Sequence, residues 1–261
     1  MVEKEERAAV TLQQVKKKKS HKGIIIAVVI LLILAGLTGV HLYIRDYYHA
    51  TRTAEAAAAG DSAVSVTKSK HYYSFAPTDP KLEKKGGIIF YPGAKVEETA
   101  YAPLLKELAS QGYEVFLARM PAHLAIFGQN RADEIIENNP HITEWTMMGH
   151  SLGGAMAASY ASSHEEEIDS LVLLAAYSTK DLSESGMQVL QVYGSRDLVL
   201  NMDSVEKYAD YLPEDALTYV IDGGNHANYA YYGEQKGDGE ATITREEQQE
   251  ELLDLMAFYG F

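Results

Sequence analysis

Residues 145–158, WTMMGHSLGGAMAA, join an apolar, strand-like run to a small-residue, helix-like run through the pattern G-x-S-x-G. Acyl transfer needs a serine hydroxyl held clear of its own backbone at the end of a rigid strand, and a sharp strand-to-helix turn provides this at the cost of local strain. Positions two before and two after the serine must be small for strand and helix to approach; they are Gly149 and Gly153. Ser151 is therefore the candidate nucleophile. The amide of Leu152, opening the following helix, is the candidate donor to the negative charge of a tetrahedral intermediate. The five-residue pattern alone is weak, and its flanks are what make it specific.

A serine hydroxyl at its free pKa is a poor nucleophile and needs a base oriented by an acid. In strand-turn-helix sites of this kind the acid follows a later strand and the histidine comes last. QVYGSRD (191–197) puts Asp197 in the loop after an apolar strand, with Asp203 and Asp222 as rivals. IDGGNH (221–226) puts His226 in a glycine-rich loop after the final strand. A second oxyanion donor is expected from YPGAKV (91–96), the loop after the first long buried strand. Lys95, in that loop, is either a contact for an acidic substrate or a solvated surface lysine. His123 follows another strand end and is a candidate to line the cleft, as is Tyr229 in the Tyr- and Gly-rich stretch 228–244, which reads equally well as a surface loop.

The elements that must position these groups alternate along the chain. Apolar, β-rich runs at 87–91, 113–117, 144–148, 171–175, 187–193 and 217–221 are separated by segments of helical period at 100–110, 132–138, 154–162 and 204–211, with a last helix over 245–259. Continuous apolar strands alternating with helices predict an α/β domain over 63–261: a mostly parallel sheet with helices on both faces. About a dozen residues join the 171–175 and 187–193 strands, too few for an inserted helical lid, which predicts an open cleft.

Residues 24–44 form an uncharged apolar run of 21, long enough at about 1.5 Å per residue to cross a bilayer core. Seven basic and three acidic residues precede it (1–22), whereas Arg45 and Arg52 are the basic residues in the twenty that follow. This predicts a basic cytoplasmic tail over 1–22, a transmembrane anchor over 23–44, a stalk over 45–62 and an extracytoplasmic domain. A cleaved signal peptide is the competing reading, with small residues at Ala56–Ala59, but these lie far beyond the apolar run.

The net charge is −14, and the +4 of residues 1–22 leaves −18 on the remainder. So acidic a body repels phosphate backbones, so nucleic acid is not an expected partner. The absence of cysteine removes thiol nucleophiles, disulfides and thiolate metal sites. H-E-x-x-H and phosphate-binding glycine motifs are missing, and His141, His150 and His164 lack ligand-like spacing and read as solvated. Neither metal nor organic cofactor is expected.

Residues 87–261 resemble the small α/β-hydrolase group related to dienelactone hydrolases. The likeness runs through GIIFYPGAKVEETAYAPLLKELASQGYEV, MMGHSLGGAMA, YGSRD and GGNHANYAYYGEQKGDGEAT, about two thirds of the chain. It implies an α/β-hydrolase fold and a Ser151–His226–Asp197 triad. Related enzymes carry His-Gly where Pro92-Gly93 stands, which implies that Ala94 supplies the second oxyanion amide. Dienelactone hydrolases use cysteine where this chain has Ser151, so lactone specificity does not carry over. The expected function is an esterase-type serine hydrolase acting on a small-molecule ester or lactone. An acyltransferase or peptidase on the same triad, or an inactive surface binding module, is the alternative.

Overall fold

The computed structural model describes residues 21–261, so all but the last two residues of the expected basic tail lie outside the described residues. The chain divides at Asp46 into two units. The first contains helix α1 (His21–Arg45), whose apolar residues occupy every face. Its Lys22–Arg45 stretch is long and apolar enough to cross a membrane, and a signal sequence would pass the same test.

The second unit, 47–261, is built on an eight-stranded sheet: β1 Val64–Lys68, β2 Tyr72–Pro77, β3 Gly87–Tyr91, β4 Glu114–Ala118, β5 Trp145–His150, β6 Ser170–Leu174, β7 Gln188–Gly194 and β8 Leu217–Ile221. The spatial order is β1-β2-β4-β3-β5-β6-β7-β8. The pairs β1–β2 and β2–β4 are antiparallel and every other pair is parallel. Helices α2 (Arg52–Ala57), α3 (Ala102–Ser110), α4 (Arg131–Asn138), α5 (Leu152–Ala161), α6 (Met202–Lys207) and α7 (Arg245–Tyr259) complete it.

Both faces are covered because alternate side chains of each central strand enter different cores. Ile88 and Phe90 of β3, Met148 of β5 and Val172 of β6 pack with Leu104 and Leu108 of α3 and with Leu252 and Met256 of α7. Their neighbours Ile89, Tyr91, Met147 and Leu171 pack with Ile135 of α4 and Ala157 and Ala158 of α5. A strand buried on both faces has no polar position to break its apolar run, which is why β3 is visible in the sequence as an unbroken block. The edge hairpin β1–β2 was not visible. Few of its side chains are buried, Val64, Tyr73 and Phe75 among them, leaving too short and mixed a pattern.

Parallel registers bring the loops of interest to one edge. Tyr91 of β3 pairs with Gly149 of β5, so the 92–96 loop and the Ser151 turn leave adjacent strands at the same level. Gly194 of β7 pairs with Ile221 of β8, which does the same for the loops carrying Asp197 and His226.

The expected stalk over 45–62 is corrected: from Tyr47 onward the segment belongs to the folded unit. Thr51 caps α2, whose Ala54 and Ala57 are buried, and Ala57 joins the core that contains α3. The alanine-rich composition that reads as a flexible spacer is instead what lets a short helix lie close against its neighbours. Replacing Ala54 by Glu should therefore lower unfolding free energy by about 2 kcal/mol or more, because a carboxylate would be forced into a dry contact. Urea denaturation checks this; a true stalk would be indifferent.

Candidate active site

Ser151 sits between β5 and α5 with φ 54° and ψ −125°, a backbone region costly for a non-glycine residue. Its amide donates to Leu174 O at 2.9 Å, pinning the turn to β6. Close approach of helix and strand maintains this geometry. A Cβ added at Gly153 would lie 2.1 Å from Tyr91 O and 2.4 Å from Pro92 O, so no larger residue fits without moving backbone. Leu152 is the first residue of α5, and its amide belongs to the turn that lacks intrahelical acceptors.

His226 and Asp197 come together from neighbouring loops. His226 Nδ1 lies 2.8 Å from Asp197 Oδ2, with both side chains 1% exposed. Asp197 Oδ1 accepts the amides of Val199 and Leu200, each at 2.8 Å, so the carboxylate is held on both oxygens. The rivals lie elsewhere: Asp203 is in the first turn of α6, and Asp222 accepts the Ser195 hydroxyl at 3.0 Å. Among the described residues no hydrogen bond joins Ser151 Oγ to the His226 ring. Contacts of this kind are commonly long in resting enzymes and tighten with substrate. The two residues are linked through His150, whose ring lies 4.5 Å from that of His226, centroid to centroid.

His150 is fully buried, which corrects the expectation of a solvated side chain. Its Nδ1 is 2.7 Å from Tyr101 Oη, and Tyr101 Oη accepts the Gly93 amide at 3.0 Å. A buried tyrosine hydroxyl that accepts from Gly93 satisfies its own proton by donating to His150 Nδ1, which leaves the His150 proton on Nε2. Burial, together with the adjacent His226, holds His150 well below the usual imidazole pKa. A Cβ at Gly93 would meet His150 Nδ1 at 2.8 Å and Tyr101 Oη at 2.9 Å, so this network requires glycine there.

Ala94 follows Gly93 in the loop after β3, and Lys95 follows with φ 56°. The Lys95 amide donates to His123 O at 2.8 Å and its carbonyl accepts from Tyr48 N at 2.7 Å. His123 is three-quarters buried, stacks on Tyr47 at 4.0 Å and lies 3.6 Å from Glu98 Oε2 through Nδ1. Tyr229 is fully buried with its ring 5.5 Å from that of His150, which makes it a support beneath the site rather than an open pocket wall. The stretch 228–244 folds back on the His226 loop and lines a pocket with Asn225 and Arg245; neither Ser151 nor His226 lines it.

Two supports were missed in the sequence. Asp238 accepts the amides of His226 (3.3 Å), Leu198 (3.4 Å) and Gly239 (2.8 Å) on Oδ1 and that of Ala227 (2.9 Å) on Oδ2, tying the histidine loop to the aspartate loop. The buried Gln248 of α7 exchanges two 2.9 Å hydrogen bonds with the backbone of Asn225. The Gly237-Asp238-Gly239 sequence is a turn signal that could have flagged the first. Nothing local marks the second. Among the described residues, no group of three or more His, Asp or Glu side chains is arranged to hold a metal ion.

A membrane phospholipase A described as a bacterial virulence factor superposes with a TM-score of 0.56 at 13% identity, covering 90% of this chain and 98% of that one. A "Putative Dienelactone Hydrolase" from Klebsiella pneumoniae gives a TM-score of 0.53 at 15% identity, covering 71% and 92%. These likenesses concern the fold. The chain is also 30% identical over 105 residues to a Mycoplasma genitalium protein named "Putative proline iminopeptidase", covering 37% of this chain and 34% of that protein. It thus spans about a third of the length of the curated relative it matches. A family model described as the alpha/beta hydrolase family matches residues 87–250. With the strand order and the glycine-flanked serine turn, that match identifies the chain as a member of the alpha/beta hydrolase family.

Proposed function

We propose that the protein is a membrane-anchored serine hydrolase that cleaves a carboxylic ester through an acyl-enzyme on Ser151. The observation that carries this reading is the buried His226–Asp197 pair at 2.8 Å, on the same sheet edge as the strained Ser151 turn. Ser151 Oγ attacks the substrate carbonyl carbon while His226 Nε2 takes its proton. Asp197 keeps the other imidazole proton on Nδ1 and stabilises the imidazolium. The amides of Leu152 and Ala94 receive the oxyanion, and loss of one such donor typically costs about 100- to 1,000-fold in rate. His226 then protonates the leaving alkoxide. Water, deprotonated by His226, releases the acid and restores Ser151.

The anchor is the Lys22–Arg45 helix, with the N-terminus cytoplasmic and the hydrolase domain on the opposite side. The orientation follows from the charge bias on residues 1–22. The small connection between β6 and β7 favours a substrate taken in an open cleft. A peptidase on the same residues is the second reading, favoured by the likeness to the protein named as an iminopeptidase. Paired assays on short p-nitrophenyl esters and on proline p-nitroanilide separate the two.

Ser151→Ala should lower ester turnover by about a million-fold and abolish fluorophosphonate labelling, with an unchanged melting curve. Labelling that persists in this variant refutes the assignment, and a folded wild-type protein that never labels points to a binding module. Asp197→Asn should leave the fold intact and reduce kcat by about 10,000-fold, because the amide stabilises the wrong His226 tautomer. A fall of less than about tenfold would move the acid's role to another residue.

His150 makes a pH prediction. It is neutral in the folded state and takes a proton near pH 6.5 once unfolded, so the unfolded chain binds more protons on acidification. Stability from this residue is complete above that pH and is lost as the pH falls toward the folded value, at roughly 1 kcal/mol per pH unit. Urea midpoints of wild type and His150→Gln, measured between pH 7 and 5, should converge as the pH drops. Parallel curves would contradict it.

A further inference from the structure

The segment after α1 does more than connect. Tyr48 lies in extended backbone alongside Val96, forming a short parallel bridge. Its amide donates to Lys95 O at 2.7 Å and its carbonyl accepts from Glu97 N at 2.9 Å. The Ala50 amide adds a bond to Glu97 Oε2 at 3.0 Å. On the other side of the same loop, His123 O accepts the Lys95 amide, and the Tyr47 ring stacks on the His123 ring. The loop is thereby gripped between the segment 47–51 and the turn at 122–123, with Tyr47 bridging the two.

What is gripped is strained. Lys95, Ala122 and His123 all have φ between 54° and 56°, conformations that persist for non-glycine residues only where the surroundings over-determine them. Ala94 lies between Gly93, fixed by Tyr101, and Lys95, fixed by Tyr48 and His123. Both flanks of its amide are therefore set from outside the loop, and one of them from residues that precede the sheet altogether.

We infer that Tyr47–Thr51 is a positioning strap for the oxyanion loop: it holds Lys95 in its left-handed conformation and so aims the Ala94 amide. This rests on the reading of Ala94 as an oxyanion donor given above. The strap acts through the loop and touches no reacting atom, so its loss should appear in kcat rather than in KM.

The test compares two full-length variants on an ester and its thiono analogue. Tyr48→Pro removes the amide that bonds Lys95 O; Tyr48→Ala keeps that amide while losing the same ring contact with Tyr232 and the hydroxyl that accepts Lys236 N. Relative to Tyr48→Ala, Tyr48→Pro should lower kcat on the ester by about tenfold or more, with KM within about twofold. The defect should be smaller on the thiono ester, whose sulfur is a weak acceptor and draws little from an oxyanion amide. Equal kcat in the two variants overturns the inference, and so does an equal loss on both substrates, which marks a merely structural effect. If Tyr48→Pro shows no cooperative melting, Tyr47→Ala decides, since it spares every backbone bond and removes the ring that packs on His123 and on His49. A fall in its kcat of about threefold or more, again greater on the oxo ester, supports the strap; wild-type kcat overturns it. An inactive wild-type enzyme would instead refute the hydrolase reading itself.

Discussion

The backbone at Ser151 depends on a contact that has almost no room in it. Helix α5 can start where it does only because Gly153 lies directly against the backbone of Tyr91 and Pro92. That contact joins the end of β3 to the start of α5 and forces the chain through a conformation that an isolated serine avoids. The strain is local, but what opposes it is distributed: the amide bond to Leu174, the parallel pairing of β5 with β3 and β6, and the burial of α5 against Ala176 and the β3 face. An element anchored on three neighbouring strands holds such a residue in place.

A second level of organisation lies beneath the proposed chemistry. Gly93, Tyr101 and His150 form a buried hydrogen-bonded chain, from the Gly93 amide to Tyr101 Oη to His150 Nδ1, while the buried His150 Nε2 has no hydrogen-bond partner among the described residues. This hydrogen-bonded chain links the loop carrying Ala94 to the turn carrying Ser151, and through ring packing to His226. Burial keeps His150 neutral, so the proposed base does not face a second positive charge at 4.5 Å. On the far side, Asp238 and Gln248 hold the His226 loop by its backbone amides and carbonyls. The site is thus positioned largely through main-chain contacts, which tolerate little relaxation.

Much of the fold was legible from the chain because its central strands are buried on both faces. β3, β8 and α7 match their predicted bounds, and β4 through β7 differ by a residue or two at their ends. The hairpin β1–β2 and the helix α2 were not legible. An edge hairpin buries few side chains, and an alanine-rich helix of six residues has the composition of a spacer. What distinguishes α2 from a stalk is a partner, and a partner belongs to the fold rather than to the segment.

The sequence by itself determined the fold class and the serine turn, because both are written in short-range patterns of apolar runs and glycines. Only the tertiary structure decided which aspartate lies beside His226, that His150 is buried and neutral rather than solvated, and that Tyr47–Thr51 clasps the loop after β3. The physical reason is that these facts depend on backbone and ring contacts between residues tens of positions apart. A hydrogen bond from Tyr48 to Lys95 uses backbone groups that every residue except proline possesses, so the residue types carry almost no trace of it.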